Sequence, residues 1–202
     1  MPKFTTGFTL VEMLLSVAIL SLIAITINTF QRDVFYLNNT LENGLNAQLD
    51  ARHLIKTMVS ELRKTTQSAT GTYPIALASS TGATFYSDVD NDALVEQVRY
   101  YLSGTTIKKG VIKPTGSPLA YVAGNEVTTT LINNVVASST LPIFQYYPSS
   151  YTGTTSPLTL PVDISKVRLV KVTIMIDNNP IHSPVPLIVT SSVSLRNLKD
   201  NL

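Results

Sequence analysis

The chain has 202 residues, of which 44% are apolar and 14% charged, with a formal charge of +2 and no cysteine. So small a charge gives no argument for a polyanionic partner, and the missing cysteine excludes a disulfide framework, a thiolate zinc site and a thiol nucleophile. It does not identify the compartment, because many exported domains lack disulfides.

Residues 1–7, MPKFTTG, carry one charged side chain, Lys3. From Met13 to Gln31 no residue is charged, and Leu, Ile, Val, Ala and Met dominate. A helix over 8–30 would extend about 34 Å at ~1.5 Å per residue, enough to cross a hydrocarbon core of ~30 Å. The basic residue ahead of the span favours a cytoplasmic N-terminus and puts Arg32 onward outside. Glu12 is the anomaly, because a carboxylate in such a segment is costly unless something compensates it. A secretory signal peptide fits the basic start, but the apolar run is too long and NTFQRDVFYLNN offers no small-residue cleavage site. A plain signal anchor would leave Glu12 as an accident at headgroup level.

Beyond the span, over 31–67, Leu41, Leu45, Leu49, Ile55, Val59 and Leu62 fall within an arc of about 140° at ~100° per residue, so the helix is expected to continue with one apolar face. Arg52 and Lys56 interrupt that face, and Asn38, Asn39 and Gly44 are places for a bend or break. The stripe is expected to pack on the protein's own globular domain.

After Ser68 the pattern turns alternating and β-branched, and residues 68–202 are expected to form a β-rich domain. The clearest strands are Ala83 to Ser87, Leu94 to Leu102, Val167 to Ile176 and Leu187 to Arg196. In the third, Arg168, Lys171 and Thr173 alternate imperfectly, which allows a bulge or burial on both faces. Between Thr105 and Asp163 short strands and long exposed loops are expected, the loops particularly over 146–161. The fold class is α+β: a long N-terminal transmembrane helix, then an antiparallel β-rich globular domain.

Asp88, Asp90 and Asp92 place hard oxygens at the first positions of a calcium loop. Ala93 then stands where that loop needs glycine, and Arg99 where a closing glutamate belongs, with Glu96 as the one substitute. A solvated turn is the main reading of this stretch, and a calcium site the lesser one; no cofactor is expected. His53 and His182 have no carboxylate partner nearby in sequence, and no nucleophile elbow, phosphate loop or H-E-x-x-H occurs, so no enzyme is expected. Tyr100 with Tyr101, and Tyr146 with Tyr147, read as core and edge packing ahead of a glycan or DNA contact.

The stretch GFTLVEML (7–14) resembles the class III signal of type IV prepilins and type II secretion pseudopilins, a glycine followed by F-T-L-[IV]-E, and departs from it at no position. The resemblance implies a pilin-like fold and cleavage between Gly7 and Phe8 by a membrane-embedded prepilin peptidase. It also implies N-methylation of Phe8 and retention of the helix. A cationic amine on Phe8 would then offset Glu12, which in this family sets assembly register against a neighbour's amine. Pairing within one chain, at i, i+4, satisfies the spacing equally. R-x-x-I-x-x-M-x-x-E-L-R (52–63), TFYSDVDND (84–92), VRYYL (98–102) and TSSVSLRNL (190–198) resemble, as an ordered set, the minor pilin and J-type minor pseudopilin branch. The calcium sites of some pseudopilins do not carry over onto the three aspartates.

The expected role is a minor subunit that initiates or caps a type IV pilus or type II secretion pseudopilus, located first in the inner membrane and then in the filament. Its expected partners are other pilin or pseudopilin subunits, the prepilin peptidase, the inner-membrane assembly platform and membrane lipid. The competing reading is a membrane-anchored tip adhesin or DNA receptor whose β-domain holds a glycan or DNA.

Overall fold

The computed structural model describes residues 7–138, 140–177 and 186–198; Lys3 with the rest of residues 1–6, and His182, lie outside the described residues. Among the described residues one long helix, α1 (Leu10–Arg63), precedes nine strands. The chain divides into two units, one ending at Asn43 and the other beginning at Gly44.

Helix α1 starts two residues later than the span predicted for 8–30 and ends at Arg63, short of residue 67. Its end tightens through bonds from Lys64 N to Glu61 O and from Thr65 N to Leu62 O, three residues apart rather than four. No break occurs at Asn38, Asn39 or Gly44. A single glycine costs a helix about 1 kcal/mol, which its Leu- and Ala-rich flanks outweigh.

In the second unit the helix buries Ala51, Leu54, Ile55, Met58 and Leu62, whose spacing of three and four residues draws one face. The predicted stripe is therefore covered only from residue 51 onward, since Leu49 is 65% exposed and Leu45 60% exposed.

The first sheet is an antiparallel meander of β1 (Ile75–Ala78), β2 (Gly82–Ser87), β3 (Glu96–Ser103), β4 (Thr106–Ile112) and β5 (Val127–Ile132), in that order. In the second, β8 (Leu169–Ile176) is central. It pairs along its whole length with β9 (Leu187–Ser194), and its other edge takes β7 (Phe144–Tyr147) and then β6 (Val135–Val136). No bulge interrupts β8. Its imperfect alternation reflects a strand paired on both edges, with Val170, Val172, Thr173, Ile174 and Ile176 all buried.

Three predicted strands shorten. β8 begins at Leu169 and not at Val167, because Val167 closes a short 3-10 turn, Ile164–Lys166. Leu94 and Val95 belong to the connection before β3, because Leu94 N donates to Asp92 Oδ1 and Val95 O accepts from the Tyr121 hydroxyl. β9 stops at Ser194 and gives way to a short 3-10 turn, Arg196–Leu198. β4 forms over TIKKGVI, one of the short strands expected between Thr105 and Asp163. Its Gly110 lies directly beneath the Glu126 carboxylate, which a Cβ would strike, while Arg99 Nε and Nη2 hold that carboxylate at 2.9 and 2.7 Å.

The sheets share one core with the helix face, in which Phe85 stacks on Tyr100 with centroids 6.1 Å apart. The Tyr146 hydroxyl crosses from the second sheet to donate to Ser79 O and Gly82 O, both at 3.1 Å. The last helical turns are tied to the first sheet through Glu61, which accepts from the Tyr100 hydroxyl at 2.7 Å and from Lys109 Nζ at 2.6 Å. Burial, then the Glu61 charge, pushes the Tyr100 phenol far above its ordinary value. Changing Glu61 to Ala strands a mostly buried ammonium and a buried phenol. The expected loss is about 2–3 kcal/mol of stability, read as a lower midpoint in thermal unfolding of the full chain in detergent.

Candidate functional site

The N-terminal site is built on the first turn of α1. Gly7, Phe8 and Thr9 are non-helical and exposed, and Thr9 takes the capping position. Thr9 Oγ1 accepts from Glu12 N at 3.3 Å, while Thr9 N and Oγ1 both donate to Glu12 Oε2 at 2.9 Å. This reciprocal arrangement is a capping box, and T-x-x-E at residues 9–12 is its sequence signature. The box engages Glu12 Oε2 alone, and among the described residues Oε1 accepts no hydrogen bond. The free oxygen lies one turn from Phe8, beside the positive end of the helix dipole.

From Phe8 to Phe30 fourteen large apolar side chains are 50–78% exposed. Leaving them in water would cost on the order of 20 kcal/mol, using ~1.5 kcal/mol or more for each. The segment is long and apolar enough to cross a membrane. Its polar side chains fold back onto their own helix. Ser16 Oγ donates to Glu12 O, Ser21 Oγ to Val17 O, Thr26 Oγ1 to Ile23 O and Asn28 Nδ2 to Ala24 O, at 2.7–2.8 Å. Hydrocarbon offers no partner to such groups, so internal bonding is what allows them there.

The other predicted positions scatter. His53 is exposed on α1 and bonds no carboxylate among the described residues. Tyr100, Tyr146 and Tyr147 are core residues at 0–4% exposure, which leaves Tyr101, under the Arg99 guanidinium at 4.2 Å, as the half-exposed member of the two tyrosine pairs.

The acidic stretch forms the connection from β2 to β3, where Asn91 and Ala93 adopt positive φ. Asp92 is spent locally: Oδ1 accepts from Leu94 N at 2.9 Å and Oδ2 from Lys113 Nζ at 3.0 Å. Those bonds hold its carboxyl below the usual range, the Leu94 N–H foremost. Lys113 also bonds Asp90 Oδ2. The converging carboxylates are Asp88, Asp90 and Glu96, which bring one oxygen each within 4.8 Å of the others.

Residues 3–27 match the family model for the prokaryotic N-terminal methylation motif. No curated protein matches the chain. The motif match and the apolar helix support a type IV pilin- or pseudopilin-like protein with an N-terminal membrane anchor.

Proposed function

We propose that this protein is a minor pilin or pseudopilin, a structural subunit that initiates or caps a type IV pilus or type II secretion pseudopilus. In this reading a prepilin peptidase cuts after Gly7, Phe8 becomes the N-methylated terminus, and the retained helix packs among other subunits' helices. The observation that carries it is the methylation motif at 3–27, set on the exposed apolar segment 8–30, whose one carboxylate, Glu12, keeps an oxygen unengaged. After cleavage the helix start would carry a cation and an anion one turn apart. Each would then be available to its opposite on a neighbouring chain, and pairing at that depth sets axial register as apolar faces pack.

The minor rather than major assignment rests on the ordered fragments at 52–63, 84–92, 98–102 and 190–198, and on the cysteine-free chain. The burial of Tyr100, Tyr146 and Tyr147 leaves only Tyr101 of the two tyrosine pairs for the stacking that a glycan or DNA receptor would use. Deleting the protein is expected to lower the number of filaments per cell sharply, while purified wild-type filaments hold it well below one copy per main subunit. Equal stoichiometry with the main subunit, measured by quantitative mass spectrometry, would contradict the minor role.

A further inference from the structure

Two buried oxygens on the β2–β3 connection have no partner. Glu96 is fully buried at the start of β3; its Oε2 accepts from Val89 N at 3.0 Å, while Oε1 is buried and accepts nothing. Asp88 repeats the pattern, with Oδ2 accepting from Ala93 N at 3.1 Å and Oδ1 buried without a partner. Asp90 joins them and gives its Oδ2 to Lys113. In each carboxylate one oxygen is pinned by an N–H or an ammonium, and the three groups bring oxygens within 4.8 Å of one another.

Such an arrangement lacks positive charge. Lys113 bonds Asp90 and Asp92 and sits half-exposed at the rim, and no ion pair reaches Asp88 or Glu96 among the described residues. Two buried carboxylate oxygens without a donor are costly. A shared proton or a cation removes that cost. Burial, and more weakly Asp90 and Asp92, push the Glu96 carboxyl up, against the Val89 N–H. The second carboxylate and the exposed third one beside it exceed what one proton satisfies.

We propose that Asp88, Asp90 and Glu96 together bind one oxygen-seeking divalent cation of the calcium class, fastening the β2–β3 connection. The ligand set is three hard carboxylates, to which water adds the remaining ligands; large, geometrically tolerant calcium suits such a set better than magnesium with its strict octahedron. It is not the D-x-D-x-D loop of the sequence: Glu96 replaces Asp92 in the trio. With few protein ligands the affinity falls in the weak range of extracellular modules, a Kd of roughly 10⁻⁴–10⁻³ M. The site would tie the entry of β3 to the end of α1, since Lys64 Nζ reaches Asn91 Oδ1 at 3.0 Å and Ser87 Oγ donates to Glu61 O at 3.1 Å. The inference does not depend on the assembly role.

The test is thermal unfolding and calorimetric titration of the full chain in detergent, stripped with EDTA and then given calcium chloride alone. At about 10 mM calcium the unfolding midpoint is expected to rise by roughly 3–6 °C, with one ion bound per chain. Glu96→Gln should keep the Val89 bond, raise the midpoint in EDTA by relieving carboxylate crowding, and lose most of the calcium-induced gain. Asp90→Asn changes an exposed residue that does not endanger folding, and it should lose most of that gain as well. Absence of binding by the wild type, or an equal calcium gain in both variants, would overturn the site.

Discussion

Changing Gly7 to Glu is expected to leave the protein as an uncut, unassembled precursor, with processing down roughly tenfold or more, a loss of about 1.4 kcal/mol or more at the peptidase transition state. The effect should lie in processing and not in folding. Gly7 is exposed, and a Cβ built on it meets nothing within 4 Å. A side chain there leaves the capping box and the core untouched, so the variant should insert in the membrane and show the wild-type unfolding midpoint. What changes is the fit of a bulky anion beside the scissile bond, where the resemblance calls for glycine. The check is gel mobility and N-terminal sequencing of membrane-extracted protein, and product beginning at Phe8 in normal yield would remove the cleavage assignment.

Changing Glu12 separates the capping seen in the structure from the charge role that the proposed filament assigns to it. The carboxylate caps its own helix through Oε2, and in the proposed filament its charge meets an N-terminal amine. Glu12→Val removes both roles; the protein should be cut normally and yet be depleted tenfold or more in sheared filaments. Glu12→Gln is the sharper variant, because glutamine occupies the same capping-box position and accepts from Thr9 N, but carries no charge. If capping were the whole role, Glu12→Gln would assemble like wild type. The account predicts that it fails nearly as badly as Glu12→Val. Thr9→Val makes the converse cut: it deletes the Oγ1 bonds and keeps the anion, and loss of one cap hydroxyl is a local change that fraying of the first turn absorbs. Its assembly should stay within a few-fold of wild type.

The parts legible in the sequence are those whose signal is local. A charge-free run from Met13 to Gln31 encodes the membrane-length helix in consecutive residues, and alternation in ATFYS and LIVTSSVS encodes β2 and β9 in the same way. T-x-x-E at 9–12 was equally local, but a carboxylate at the head of an apolar run draws a charge explanation before a hydrogen-bonding one. The helix face was drawn one stretch too early because Leu41, Leu45 and Leu49 repeat every four residues and drift off the stripe, whereas Ala51, Leu54, Ile55, Met58 and Leu62 stay on it.

Long-range partners carried no local signal. Glu61 meets Tyr100 and Lys109 across 39 and 48 residues, and nothing near Gly110 in the chain announces the Glu126 carboxylate that lies over it. The division of nine strands into two sheets depends on pairings such as Phe144 with Val172, which no spacing reveals. Glu96 reads in sequence only as a substitute for the missing closing glutamate of a calcium loop; its full burial and its convergence with Asp88 and Asp90, in place of Asp92, come from the fold.

The claim on which the account rests is that proteolysis creates the positive mate of Glu12. The most direct measurement is the intact mass of the wild-type polypeptide extracted from membranes of cells with an active prepilin peptidase. The account predicts the mass of the chain from Phe8 onward plus one methyl group, with fragmentation placing that methyl on the Phe8 amine. A polypeptide that still carries residues 1–7, or one that begins at Phe8 with an unmodified amine and is absent from filaments, would contradict it.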